Sequence, residues 1–151
     1  MALKERVNEE MKAALLGGDR FVGETLRNLK AAILNEEVAT GKRDTGLSDE
    51  EIEKVVAREV KKRIESAKLY RDNDRPELAE IEEQEMTILQ GFLPVQLSEE
   101  ELRAIVERKA DELSVSTPAD MGKLIGAVKG EVGNTTDGGT IARIVKDVIS
   151  K

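Results

Sequence analysis

Apolar residues recur along this chain at helical spacing almost throughout. Leu3, Val7, Met11 and Leu15 return every four residues, which predicts a first helix with one apolar face. Gly17-Gly18 ends it, and Asp19 stands where a cap for the next helix belongs. Phe21, Leu26, Leu29, Ile33 and Val38 carry the apolar side of that second helix. The stretch TGKRDTG, residues 40–46, is a polar loop. Ser48 followed by Glu51 is a capping box that opens a long helix, with Ile52, Val55, Val56, Val60, Ile64, Ala67 and Tyr70 predicted on its inner side. DNDRP breaks that helix, and Pro76 suits the first turn of another. Leu78, Ile81, Ile88, Leu89 and Phe92 mark its expected buried side.

GFLPVQLSEEEL is the natural boundary. Pro94 stops one helix, and Ser98 with Glu101 forms a second capping box. Beyond it, Leu102, Ile105, Val106 and Leu113 pattern one helix. Met121, Leu124, Ile125, Val128 and Val132 pattern the next, started by Thr117-Pro118. Asp137 is placed to cap the last, which carries Ile141, Ile144, Val145, Val148 and Ile149. No alternating strand pattern occurs. The expected fold is all-α: a helical N-terminal unit, 1–96, followed by a small three-helix C-terminal unit, 97–151.

Composition narrows the chemistry. The 151 residues include no cysteine and no histidine. Thiolate metal sites, cysteine nucleophiles and the usual neutral-pH general base are therefore absent, and no metal or cofactor is expected. No window is long and apolar enough for a membrane helix, the opening MALKERVNEE has no signal-peptide core, and the cytoplasm is the default location. The formal net charge of −7 argues against indiscriminate nucleic-acid binding. Phe21, Tyr70 and Phe92 are the only aromatic residues and read as core, so a base-stacking platform is hard to build.

The remaining candidate sites reduce to ordinary structure. GEVGNTTDGGTIARIVK, residues 130–146, has the glycines of a phosphate loop. It lacks the lysine of a Walker-type loop and the preceding strand of a dinucleotide fingerprint, so it reads as a turn between helices. Gly133 would end one helix and Asp137 cap the next. ELAEIEEQE, residues 77–85, flanks the apolar side at Ile81 and reads as a solvated helix face, since di-metal carboxylate sites in bundles pair glutamate with histidine. The serines have no elbow motif and no histidine partner; a Ser–Lys arrangement is the alternative left open, and nothing in the chain has its spacing. One stretch stands out: REVKKRIESAKLYR, residues 58–71, concentrates base in an acidic chain. Lys54, Arg58, Lys61 and Lys68 share a helical stripe interrupted by Glu65, with Lys62 and Arg63 to its side. Such a row is either a solvated face balanced by glutamates or a set of phosphate contacts.

LKERVNEEMKAAL, LRNLKAAILNEEV, REVKKRIES, FLPVQLSEEEL and DMGKLIGAVKGEV, in that order, together resemble the GatB/YqeY family. The likeness spans essentially the whole chain and matches the free-standing YqeY-type proteins. The C-terminal part is similar to the tail domain of the B subunit of glutamyl-/aspartyl-tRNA amidotransferase. The resemblance implies an all-helical two-part fold and an association with glutamine-dependent tRNA amidation, in which the tail domain contacts tRNA. Family members usually carry a basic Gly-Arg/Lys-Ala-Asp-Gly turn. Here the arginine position falls on Asn134, and GNTTDGG holds an extra residue. The glycine/serine-rich signature of the amidase-like partner and the larger catalytic portion of the B subunit are both missing. A carbon–nitrogen ligase label would thus be inherited from the family. The expectation is a non-catalytic accessory protein with tRNA, and proteins of the amidation or translation machinery, as partners. RNA contacts are expected at Arg58, Lys61, Lys62 and Lys68, with Lys123, Lys129 and Arg143 as a second patch. The alternative is a helical protein-interaction module that binds no RNA.

Overall fold

The computed structural model describes residues 1–150 and is all-helical, with seven α-helices and no strand among the described residues. The helices are α1 (Leu3–Leu16), α2 (Arg20–Ala39), α3 (Asp49–Asp72), α4 (Pro76–Gln90), α5 (Glu99–Leu113), α6 (Met121–Val132) and α7 (Gly138–Ile149). The chain divides into two compact units, Met1–Leu93 and a second that begins at Pro94.

Two helical hairpins build the first unit: α1 packs along α2, and α3 along α4. The turn between α1 and α2 is tight because Gly23, one turn into α2, has no side chain. A Cβ there would run into the Leu15 side chain. Asp19 caps α2 by accepting from the Val22 N–H, and Ser48 and Glu51 form the capping box of α3. Asp49 in the first turn of α3 also accepts from the Leu3 N–H at 2.9 Å, which ties the start of α1 to the start of α3. Leu26, Leu29, Ile33, Ile52, Val56, Leu89 and Phe92 are buried together in the core of this unit. Each large apolar side chain so buried is worth about 1.5–3 kcal/mol.

The second unit wraps α5, α6 and α7 around Leu102, Val106, Leu124, Val128, Ile141, Ile144 and Val145. Ser98 and Glu101 make the second capping box. Gly133 ends α6 with φ +56° and ψ −129°, a backbone state that glycine adopts and a side chain resists. Asp137 caps α7 by accepting from the Thr140 N–H at 2.7 Å.

Several expected inner positions lie outside. Phe21, Val38, Ile64 and Ile81 are exposed. The cause is helical geometry, at about 100° per residue. On α2 the buried stripe runs Leu26, Leu29, Ile33, and four residues later meets Glu37. Val38, one step further round, points away. On α3 the stripe runs through Glu59, Val60, Arg63 and Ala67, which leaves Ile64 to solvent. Of the three aromatic residues only Phe92 is fully buried; Tyr70 is half-buried.

Two ionic groups therefore occupy core positions. Glu37 is 1% exposed and accepts two hydrogen bonds from Lys4 Nζ, at 2.8 and 3.1 Å, and one from the Leu47 N–H at 3.3 Å. The Lys4 hydrogen bond outweighs burial and holds its carboxyl below the usual carboxylate range. Glu59 is closed over by Arg63, which also reaches Glu85 at 3.0 Å from α4. The stretch 77–85 is thus not a plain solvated face. Glu85 and Glu83 are tied to Arg63 and Arg71, and burial beside Glu85 pushes the Glu82 carboxyl up.

Candidate nucleic-acid interface

The seven basic residues expected to contact RNA divide by unit and by what already holds them. On α3, Arg58, Lys61, Lys62 and Lys68 are all exposed. Arg58 pairs with Glu36 of α2 at 2.9 Å, and Lys62 with Glu59 at 3.0 Å. Lys61 and Lys68 make no ion pair with a described residue. With Lys54 they stand seven residues apart, a row of exposed ammonium groups rising about 10 Å per step along one helix. Arg63, read beside that stripe, is turned inward instead, with its side chain 12% exposed.

In the second unit Arg143 pairs with Glu99 of α5, both well exposed. Lys123 and Lys129 have no such partner among the described residues and sit on α6. Their surroundings were not singled out by sequence reasoning. Gly122, Gly126 and Gly130 recur every four residues and are all exposed; a Cβ added to any of them would meet nothing within 4 Å. Helical geometry sets these three glycines in a lane, with Lys123 about 60° to one side of Gly126 and Lys129 about 60° to the other. Leu124, Val128 and Val132 occupy the buried side. The signal was present in the sequence as glycines at i, i+4 and i+8.

This lane is costly to the helix. Each glycine in a helix interior costs about 1 kcal/mol relative to alanine, and no packing within the unit requires these three. What the glycines leave is bare backbone, open to close approach between two cations.

The glycine-rich turn after α6 is already occupied. The Thr135 hydroxyl donates to the Val132 carbonyl at 2.6 Å. The Thr135 carbonyl accepts from the Leu97 N–H at 2.8 Å, and that of Asn134 from the Gln96 side chain at 3.1 Å. Asp137 places its own carboxylate on the first turn of α7, taking both the N–H and the hydroxyl of Thr140. An incoming phosphate would meet that charge. Lys129 Nζ lies against this end of α7, 3.5 Å from where a Cβ on Gly138 would stand.

Stacking groups add little. Phe92 is buried, with the Arg6 guanidinium 4.5 Å above its ring centre. No cluster of three or more carboxylates able to hold a metal occurs among the described residues. No helix among them is long and apolar enough to cross a membrane.

The family model described as Yqey-like protein matches residues 4–149. The chain is also similar to Altered inheritance of mitochondria protein 41, mitochondrial, of Clavispora lusitaniae. The two are 26% identical over 154 residues, which cover 98% of this chain and 85% of that protein.

Proposed function

The chain belongs to the YqeY-like family, and from that premise we propose that it is a non-catalytic accessory protein that associates with tRNA. Its link to glutamine-dependent amidation runs through the resemblance of the second unit to the amidotransferase tail domain, and carbon–nitrogen ligase chemistry would come from partner subunits. The observation that carries this reading is the exposed glycine lane of α6, flanked by Lys123 and Lys129, neither of which makes an ion pair with a described residue. Lys61 and Lys68 on α3 supply a second set of phosphate contacts. Arg58 and Arg143 join by exchanging a carboxylate at the surface for phosphate, which costs little because such pairs contribute about 0–1 kcal/mol. Lys62 joins by leaving Glu59 to Arg63, which holds that carboxylate from the other side. The recognition is of phosphate and shape. We place this work in the cytoplasm, whereas the relative's name puts that protein in the mitochondrion; fractionation of the tagged chain separates the two.

A second reading has its own observation. Leu16, Ile64 and Leu69 are each at least half exposed on the first unit, apolar surface that a protein partner would cover. A protein partner whose binding ignores salt would favour it.

Gly126→Leu tests the first reading. Leucine is a better helix former than glycine and has open space at this position, so the variant is expected to melt at a higher temperature. It also fills the lane, and its tRNA affinity, measured by fluorescence anisotropy at low salt, is expected to fall about fivefold or more. A more stable variant with unchanged tRNA affinity would contradict the use of this face.

A further inference from the structure

Asp137 is followed by Gly138, and no other aspartate or asparagine in the chain precedes a glycine. The pairing has a chemical consequence. A glycine, lacking Cβ, leaves its amide nitrogen open to the preceding side-chain carboxyl, with which it can close a five-membered ring. Both residues are exposed at the start of α7. The Gly138 N–H stands at the first position of that helix, where it has no partner within the helix.

The folded cap opposes that ring. Closure needs the Gly138 nitrogen swung alongside Cβ of Asp137, well away from the observed ψ of 157°. The same turn would move the Asp137 carbonyl, which accepts from the Ile141 N–H at 3.2 Å in the first turn of α7. Both carboxylate oxygens are engaged as well, one by the Thr140 N–H at 2.7 Å and the other by the Thr140 hydroxyl at 2.9 Å. The reaction therefore waits for these contacts to open.

We propose that the Asp137–Gly138 bond is a self-modification site that converts to isoaspartate at a rate set by opening of the α7 cap. The Gly138 nitrogen attacks Cγ of the protonated Asp137 carboxyl. The carboxyl hydroxyl leaves as water with the amide proton, which gives a succinimide. Water then adds to either ring carbonyl. Addition at Cγ restores aspartate, and addition at the α-carbonyl leaves the chain linked through Cγ as isoaspartate. Water is the only other reactant, and the mass is unchanged at the end. Isoaspartate has one more methylene in its backbone and one fewer in its side chain, so the carboxylate no longer fits its place on Thr140. α7 then loses the cap that starts it, and α7 supplies Ile141, Ile144 and Val145 to the core of the second unit. The site is independent of the RNA reading.

The test is to age the full chain at neutral pH and body temperature, folded and in urea. Isoaspartate is then read by methyl labelling with an isoaspartyl methyltransferase and by peptide mapping. Label is expected in the tryptic peptide 130–143 and in no other. The folded chain should acquire it about fivefold more slowly than the unfolded one, the scale of a helix cap. Thr140→Val removes the hydroxyl contact and should speed labelling of the folded chain without changing the unfolded rate. Asp137→Ser keeps a capping residue and should abolish the label. Aged chain enriched in isoaspartate should melt at a lower temperature than fresh chain. No label in the folded chain, label at another aspartate, equal folded and unfolded rates, a Thr140→Val variant no faster than the parent, or modified chain of unchanged stability would each overturn the assignment.

Discussion

A carboxylate in a core position is stable only if its charge is met. Glu37 is met by Lys4 and by the Leu47 backbone, so the variant Glu37→Ala removes the acceptor of both and leaves a loop N–H unsatisfied. Urea denaturation should show a loss of about 2–4 kcal/mol. A variant as stable as the parent would mean that the pair contributes nothing. The pH dependence follows from the same contacts. Glu37 is held below its ordinary value, and Lys42 together with the Ser48 cap lowers Glu51 to about 2. Groups depressed in this way stabilise the fold above the unfolded carboxylate value, about 4.3, and lose that contribution as pH falls through the folded value. Glu82, raised by burial, acts in the opposite sense: its contribution is present below the unfolded value and is lost as pH rises through the raised one. Denaturation followed from pH 7 to pH 2 should therefore show stability falling below about pH 4.3. Glu82→Gln should be more stable than the parent at pH 7, with that advantage vanishing in acid. Glu37 was partly legible in the sequence, since it stands four residues after Ile33 on the apolar stripe. Reading the neighbouring Val38 as core hid it, because an apolar residue was preferred to a correctly spaced charge.

Helices announce their ends more reliably than their faces. The capping boxes at Ser48 and Ser98 and the Asp137 cap depend on residues three apart, and all three form as the sequence predicts. Faces depend on what packs against them. Gly23 and Gly126 both sit inside helices, and nothing local tells them apart. Yet a side chain at Gly23 would run into Leu15, while one at Gly126 would meet open space. Opposite outcomes follow. Gly23→Ala should destabilise the first unit by about 1–3 kcal/mol through overpacking. Gly126→Ala should stabilise the second by about 0.5–1 kcal/mol. Thermal melts of the two variants check this, and shifts of the same sign would contradict the packing. The same dependence on tertiary packing explains why the glycine lane, with its residues in plain view, was not found from the sequence. Its exposure was not legible there.

At the scale of the whole molecule, an acidic chain is proposed to hold a polyanion. The helical class and the need for local basic stripes followed from periodicity and net charge. Which cations are free did not, because Glu36, Glu59 and Glu99 lie far along the chain or across a helix turn from the groups they hold. Net repulsion at a distance leaves affinity to short-range attraction, which salt screens. The most direct measurement is the slope of log affinity for tRNA against log salt. It should be taken for the wild type, for Arg58→Ala with Lys61→Ala, and for Lys123→Ala with Lys129→Ala. The wild type is expected to bind at low salt with a clearly negative slope. Each double variant should be shallower, by up to about one unit for every phosphate that the removed cation neutralised. No salt-dependent binding at low salt, or slopes that neither pair alters, would contradict the RNA account and leave the protein-interaction reading in its place.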